Sequence, residues 1–207
     1  MTFTTNDIQT LENIILSRRD VRGNNFKSKK IKNKKLIQIL QAGLHAPSVG
    51  FSQPWKFVVI KDEKIKNKVY KNFKKEYTKS KKYFKTSKLY SNLKLEGIKE
   101  TPINIAVYYK KPKKKILGQT SQEKMGEYSV VCAIQNMWLM ARSLNIGIGW
   151  VSILKPKKIN KILNMNEHYV LVGYLCVGYV KKFLNKPELQ KLKWAKQKEF
   201  KKIVIWK

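Results

Sequence analysis

Residues 127 to 154 read EYSVVCAIQNMWLMARSLNIGIGWVSIL, a helical pattern that gives way at once to a strand pattern. Val131, Ile134, Trp138 and Ala141 fall on one helical stripe, and Val130, Ala133, Met137 and Met140 widen it. A helix over Glu127 to Leu144 that is apolar nearly all round belongs in the middle of a domain or at a subunit interface. Asn145 and Gly147 are suited to ending it, and Ile148 to Leu154 is expected to be a strand.

Downstream, Pro156 to Leu163 reads as a short helix and Tyr169 to Val180 as a long, almost wholly apolar strand. Glu188 to Lys207 is a partly helical tail closing on Ile203-Val204-Ile205-Trp206. Upstream, Ile103 to Tyr109 predicts a strand followed by a basic loop, Lys110 to Gly118. Ser91 to Glu100 predicts a helix stopped by Pro102. Lys81 to Tyr90 reads as a mobile surface stretch and Lys64 to Lys79 as a charged, exposed helix. Trp55 to Ile60 predicts a buried strand. Asn33 to His45 predicts a helix with Leu36, Ile37, Leu40 and Leu44 apolar, and Gly23 to Asn25 a turn. A first helix runs to Ser17, capped by Asn6 or Asp7, with Ile8, Leu11, Ile14 and Ile15 on one side. Helices and strands mix without strict alternation, and no Gly-x-Gly-x-x-Gly follows an early strand. The expectation is one α+β domain over residues 1–207.

The 207 residues carry 45 Lys and Arg against 13 Asp and Glu, a formal charge of +32. Only four of the basic residues are arginine, and the lysines are spread along nearly the whole chain. A dedicated nucleic-acid surface mixes arginine with aromatic rings or carries a recognisable motif. The charge therefore reads as a solvated coat with weak, nonspecific affinity for polyanions and no specific nucleic-acid partner. No apolar run is long enough to span a membrane, and Met1 to Arg19 lacks the pattern of a signal peptide. Cys132 and Cys176 lie in apolar runs and are expected to be buried free thiols of a cytoplasmic protein.

Three of the four arginines, Arg18, Arg19 and Arg22, fall within five residues around Asp20. The guanidinium fork matches phosphate or carboxylate in a way an ammonium cannot. The segment is either a salt-bridged helix end or a phosphate clamp with a carboxylate beside it. His45 to Trp55, HAPSVGFSQPW, has two prolines and a glycine that fix a rigid loop displaying hydroxyl and amide groups. It suits either a plain turn or a surface for a planar heterocycle. Gly147 and Gly149 in GIGWVSI open a strand to close approach by a ligand ring, with Ser152 on the same strand. His45 and His168 are distant in sequence and no Cys/His cluster exists, so no metal site is expected.

Together these segments resemble the nitroreductase-like flavoprotein superfamily and, within it, the 5,6-dimethylbenzimidazole synthase family. The resemblance rests on RRDVR at 18–22, APSVGFSQPW at 46–55, LKLEGI at 93–98, YSVVCAIQNMWL at 128–139, GIGWVSI at 147–153 and YLCVGYV at 174–180. It implies an α+β fold with a central, mainly antiparallel sheet flanked by helices. It also implies a homodimer with FMN at the interface and the tail, about residues 187–207, packed on the partner subunit. By the same resemblance Arg18, Arg19 and Arg22 hold the flavin, and Ser48, Gln53, Leu95, Glu96 and Gly97 line the site. Gly149 and Trp150 would face the ring. Asp20 corresponds to the family's essential carboxylate, and Ser152 to a serine near the reactive ring. The implied reaction is oxygen-dependent fragmentation of reduced FMN to 5,6-dimethylbenzimidazole, the lower base of vitamin B12, with a separate reductase supplying the reduced flavin. The alternative is an NAD(P)H-dependent nitro or quinone reductase that keeps its flavin. One departure stands out. Lys193 to Phe200 offers only lysines where relatives often place an arginine near the phosphate, leaving Lys196 or Lys198 to stand in.

Overall fold

The structure is a computed structural model that describes residues 1–84 and 88–207. Four strands form one antiparallel sheet in the order β1-β2-β4-β3: β1 Trp55–Ile60, β2 Ile103–Lys110, β3 Ile146–Trp150 and β4 Tyr169–Tyr179. β2 is buried on both faces along nearly its whole length and β4 from Gly173 to Gly178, which accounts for the near-continuous apolar runs that announced them.

Helices cover the two faces separately. On one face lie α2 (Asn33–Leu44) and α5 (Met125–Ser143), where Leu36, Ile39, Ile134 and Met137 meet Ile105, Val107, Leu175 and Val177. On the other lie α3 (Glu63–Ser80) and α6 (Pro156–Ile162), where Val69, Phe73 and Ile159 meet Ala106, Tyr108, Tyr174 and Cys176. α5 buries Val130, Ala133, Ile134, Met137, Trp138 and Ala141, while Val131 of the expected stripe remains exposed. Gly126 at its start has no room for a side chain, because a Cβ there would collide with the Tyr109 ring.

Several expectations need correcting. The first helix, α1 (Thr5–Ser17), is capped by Thr4, and Asp7 closes the capping box from the third position. No residue of α1 is buried within the chain. α3 is not wholly exposed: it buries Lys66, whose Nζ donates to the Thr101 carbonyl at 2.8 Å and pairs with Glu63. The expected helix at Ser91–Glu100 does not continue past Asn92, where a short α4 (Lys88–Asn92) ends. Helical geometry is lost because the Glu96 carbonyl accepts the Gly23 N–H at 2.8 Å and the Glu96 carboxylate accepts the Ile98 N–H at 2.7 Å. The strand expected at Ile148–Leu154 begins and ends earlier, so Ser152 lies in the following loop. Cys132 is exposed, whereas Cys176 is buried and its thiol pKa is pushed up by that burial. Of the stretch expected to be mobile, Lys81–Phe84 is a 3-10 turn and residues 85–87 lie outside the described residues. The tail contributes a short α7 (Glu188–Lys191).

Candidate functional site

α1 ends at Arg18, whose extended backbone (φ −63°, ψ 135°) sends the next residues alongside β3. The freed carbonyls of that helix end are claimed by side chains. Arg142 Nε donates to the Ser17 carbonyl at 3.2 Å, Arg19 Nη1 to that of Leu16 at 2.6 Å, and Trp138 Nε1 to that of Arg19 at 3.2 Å. Asp20 pairs with Ile148 in a parallel bridge, and Val21 N–H donates to the Ile148 carbonyl at 3.0 Å. This arm can lie so close only because residue 149 is glycine: a Cβ there would strike the Val21 carbonyl.

Asp20 is the chemical centre of the arm. Its Oδ1 accepts the Trp150 N–H at 3.0 Å and its Oδ2 pairs with Arg22 Nη2 at 2.8 Å. Desolvation pushes its pKa above the ordinary carboxylate value, against Arg22, the Trp150 N–H and Arg18, which all favour the charged form. The side chain keeps 32% of its surface exposed. A group that is packed round on most sides yet open on one is suited to exchanging a proton with something placed there.

The three arginines have different duties. Arg19 directs four of its five N–H groups at the carbonyls of Leu16, Arg18, Leu184 and Asn185, which ties the arm to the segment before α7. Arg22 lies between two carboxylates, Asp20 and Glu188, the latter at 3.7 Å. Arg18 stacks over the Trp138 ring at 4.8 Å and, among the described residues, makes no salt bridge. It opens on a cleft of ≈ 530 Å³ that Lys186 and Lys196 also line. Lys196 is one of the two lysines expected to stand in for the absent arginine.

The second expected segment is a strained loop. Gly50 (φ 52°), Phe51 (φ 50°) and Gln53 (φ 45°) all adopt left-handed conformations, unfavourable for the two residues that carry a Cβ. The loop is held by the Gln53 N–H donating to Ser48 Oγ at 3.1 Å and the Val49 N–H donating to Ser129 Oγ of α5 at 3.0 Å. Ser52 Oγ is buried and unpaired among the described residues, and Gln53 is exposed.

The arm and this loop do not meet within one chain. Gln53 lies two residues before Trp55, which pairs with Tyr109 and through it with Val170, whereas Trp150 beside Asp20 pairs with Leu175. Three strand spacings and five residues along β4 separate the two places, roughly 20 Å in all. The Leu95–Gly97 segment does lie beside the arm: a Cβ on Gly97 would come within 2.7 Å of the Phe26 ring. The Glu96 carboxylate is occupied structurally, holding Lys94, whose pKa rises because hydrogen bonds to Glu100 and Glu96 outweigh the burial that lowers it. Ser152 is exposed, with its carbonyl accepting the Leu154 N–H. Trp150 packs 6.3 Å from Trp138.

Two residues of the site went unnoticed in the sequence. Trp138 was legible as core but not as the platform under Arg18. Glu188 carried no local signal, because its partner Arg22 is 166 positions away. Burial raises its pKa, as does Asp20, against Arg22. No cluster of three His, Cys, Asp or Glu side chains suited to a metal occurs among the described residues.

Comparison with known proteins gives a consistent result. The sequence profile of the nitroreductase family matches residues 15–179. A 5,6-dimethylbenzimidazole synthase from Rhodospirillum rubrum is 34% identical over 185 residues, covering 87% of each chain. A protein of the same name from Rhodobacter capsulatus is 30% identical over 199 residues, 94% of this chain and 95% of the other. The fold also superposes on iodotyrosine deiodinase bound to FMN and 3-iodo-L-tyrosine with a TM-score of 0.72 at 22% identity, covering 95% and 98% of the two chains.

Proposed function

Because the chain belongs to the nitroreductase family, we propose that it binds reduced FMN as a substrate and, with molecular oxygen, fragments it to 5,6-dimethylbenzimidazole. The observation that carries this reading is Asp20: a carboxyl of raised proton affinity, anchored to the Trp150 N–H and Arg22 and open on one side. A residue of that kind suits the repeated proton transfers that ring fragmentation requires.

The chain fits a flavin nucleotide. Gly149 holds a position where a side chain is impossible, so the arm can press close to β3 and set Asp20 beside the Trp150 N–H, where a flat ring would bind. Arg18, Lys186 and Lys196 line one cleft with the charge and size a nucleotide phosphate needs. When bound, reduced FMN supplies an electron-rich ring that reacts with oxygen. Asp20 takes and returns protons on the exposed side of its carboxyl group, while Arg22 and the Trp150 N–H keep its orientation fixed. Trp150 and Trp138 wall the site against water, and Ser152 offers a hydroxyl at the end of β3. Arg19 acts by fixing the arm to residues 184–185, so its part is to position Arg18 and Asp20.

Ser48 and Gln53 lie too far from Asp20 to touch the same nucleotide in one chain, so the working unit is a homodimer in which one copy offers the arm and the other the loop. The apolar face of α1 and the exposed Ile203, Ile205 and Trp206 of the tail supply surface for that dimer, the whole of residues 1–207 acting as one domain. A separate reductase delivers the reduced flavin.

The test is to mix the protein with photoreduced FMN in air and identify the organic products. Dimethylbenzimidazole in step with flavin loss is the expected result. Flavin recovered intact, with turnover of nitro compounds on NAD(P)H, would assign the retained-flavin alternative.

A further inference from the structure

The strongest unexplained feature lies on the other face of the sheet from α5. Between α3 and α6 runs a cleft of ≈ 650 Å³ that four lysines of α3, from Lys68 to Lys79, share with four more from Lys155 to Lys161. The α3 lysines fall at 68, 71, 75 and 79, spacings of three and four that keep them on one side of the helix over about 16 Å. All eight are exposed. Among the described residues the one carboxylate in the cleft is Glu76, already paired with Lys79 at 2.9 Å.

Lysine is common everywhere in this chain, but here two rows face each other across fixed walls. The buried Asn72 of α3 accepts the Lys155 N–H on Oδ1 at 2.9 Å, which pins the start of α6 to α3. Ile159 is buried in the core shared with Val69 and Phe73. The two backbones that carry the lysines are thereby held together, so the cleft keeps a positive field.

We infer that this cleft binds the phosphodiester backbone of double-stranded nucleic acid without reading its sequence. Among the described residues no aromatic ring lines it, so nothing is offered for the stacking that single strands use. No guanidinium lines it either among the described residues, so the fixed fork that reads guanine edges is missing. What remains is a series of point charges matched to a series of phosphates. A flat anionic membrane is a poorer fit, because the lysines line a concave cleft to which, among the described residues, Ile162 alone contributes an apolar side chain.

The experiment is fluorescence anisotropy of the full chain with a labelled duplex of about 20 base pairs, titrated over a range of salt. Lys68→Gln, Lys75→Gln, Lys157→Gln and Lys161→Gln together should weaken binding at least about tenfold and flatten the logarithmic salt slope by about 3. A control with Lys27, Lys30, Lys32 and Lys34 changed to Gln loses the same charge and should bind within about twofold of the parent. Equal weakening by both variants would assign the affinity to the overall field and overturn the inference. So would tighter binding to a single strand of the same length, to phosphatidylglycerol vesicles or to polyglutamate. Circular dichroism and FMN titration of both variants should match the parent, which keeps this outcome separate from that of the flavin reaction.

Discussion

At the scale of single residues, the chemistry concentrates on Asp20 and the glycine opposite it. Asp20→Asn keeps the size of the side chain and can still accept the Trp150 N–H, so FMN affinity should stay within about threefold while product formation falls at least about a hundredfold. Flavin fluorescence quenching and product chromatography measure the two separately, and retained product would remove Asp20 from the reaction. The raised pKa also has a stability consequence. The folded protein holds the Asp20 proton more tightly than the unfolded chain, so the contribution is fully present below the ordinary value of 3.8 and is lost as pH rises through the raised one. Melting temperatures followed upward from the ordinary value of 3.8 should therefore show parent stability falling relative to Asp20→Asn as pH increases. Gly149→Ala must push the Val21 carbonyl away from β3; a loss of about 1–3 kcal/mol in urea denaturation is expected, with weakened FMN binding.

At the scale of elements, the loop from Ser48 to Gln53 stores strain that nothing in its own packing explains. Phe51 is 81% exposed yet held at φ 50°. Strain of this kind persists where the surrounding structure imposes it, often at a binding surface. Phe51→Gly should raise stability by about 0.5–1 kcal/mol, read as a higher urea midpoint at unchanged slope, because glycine adopts that conformation without a Cβ clash. An unchanged or lower midpoint would mean that Phe51 is covered in the working assembly. α5 contributes from the other side, since Ser129 anchors the loop and Trp138 supports Arg18, so one helix sets the positions of both halves of the site.

At the scale of the whole molecule, the arm and the loop stand at opposite corners of the sheet. If each site takes its arm from one copy and its loop from another, Asp20→Asn and Gln53→Ala chains should complement each other. In a random mixture half the dimers are mixed, each with one intact site, so about a quarter of parental activity should return. Mixed dimers with no more activity than either parent variant would mean that Asp20 and Gln53 serve the same site within one chain. The apolar surface of α1, none of it buried within the chain, has a clear use in such a dimer.

The sequence alone was sufficient for the α+β class, for β1, β2 and β4 nearly to the residue, and for α5, because burial on one or both faces leaves a periodicity that neighbours in sequence reveal. It also marked the arginine cluster, the Ala46–Pro54 loop and the Gly147–Trp150 strand as unusual. Only the tertiary structure decided how these parts relate. Asp20 meets Trp150 across 130 positions, and Arg19 is drawn to the Leu184 and Asn185 carbonyls. Leu93–Gly97 does not form the expected helix, and Gly23 claims the Glu96 carbonyl. Such pairings are fixed by which backbone groups come within hydrogen-bonding reach once the sheet has formed, and a linear pattern carries no record of that distance.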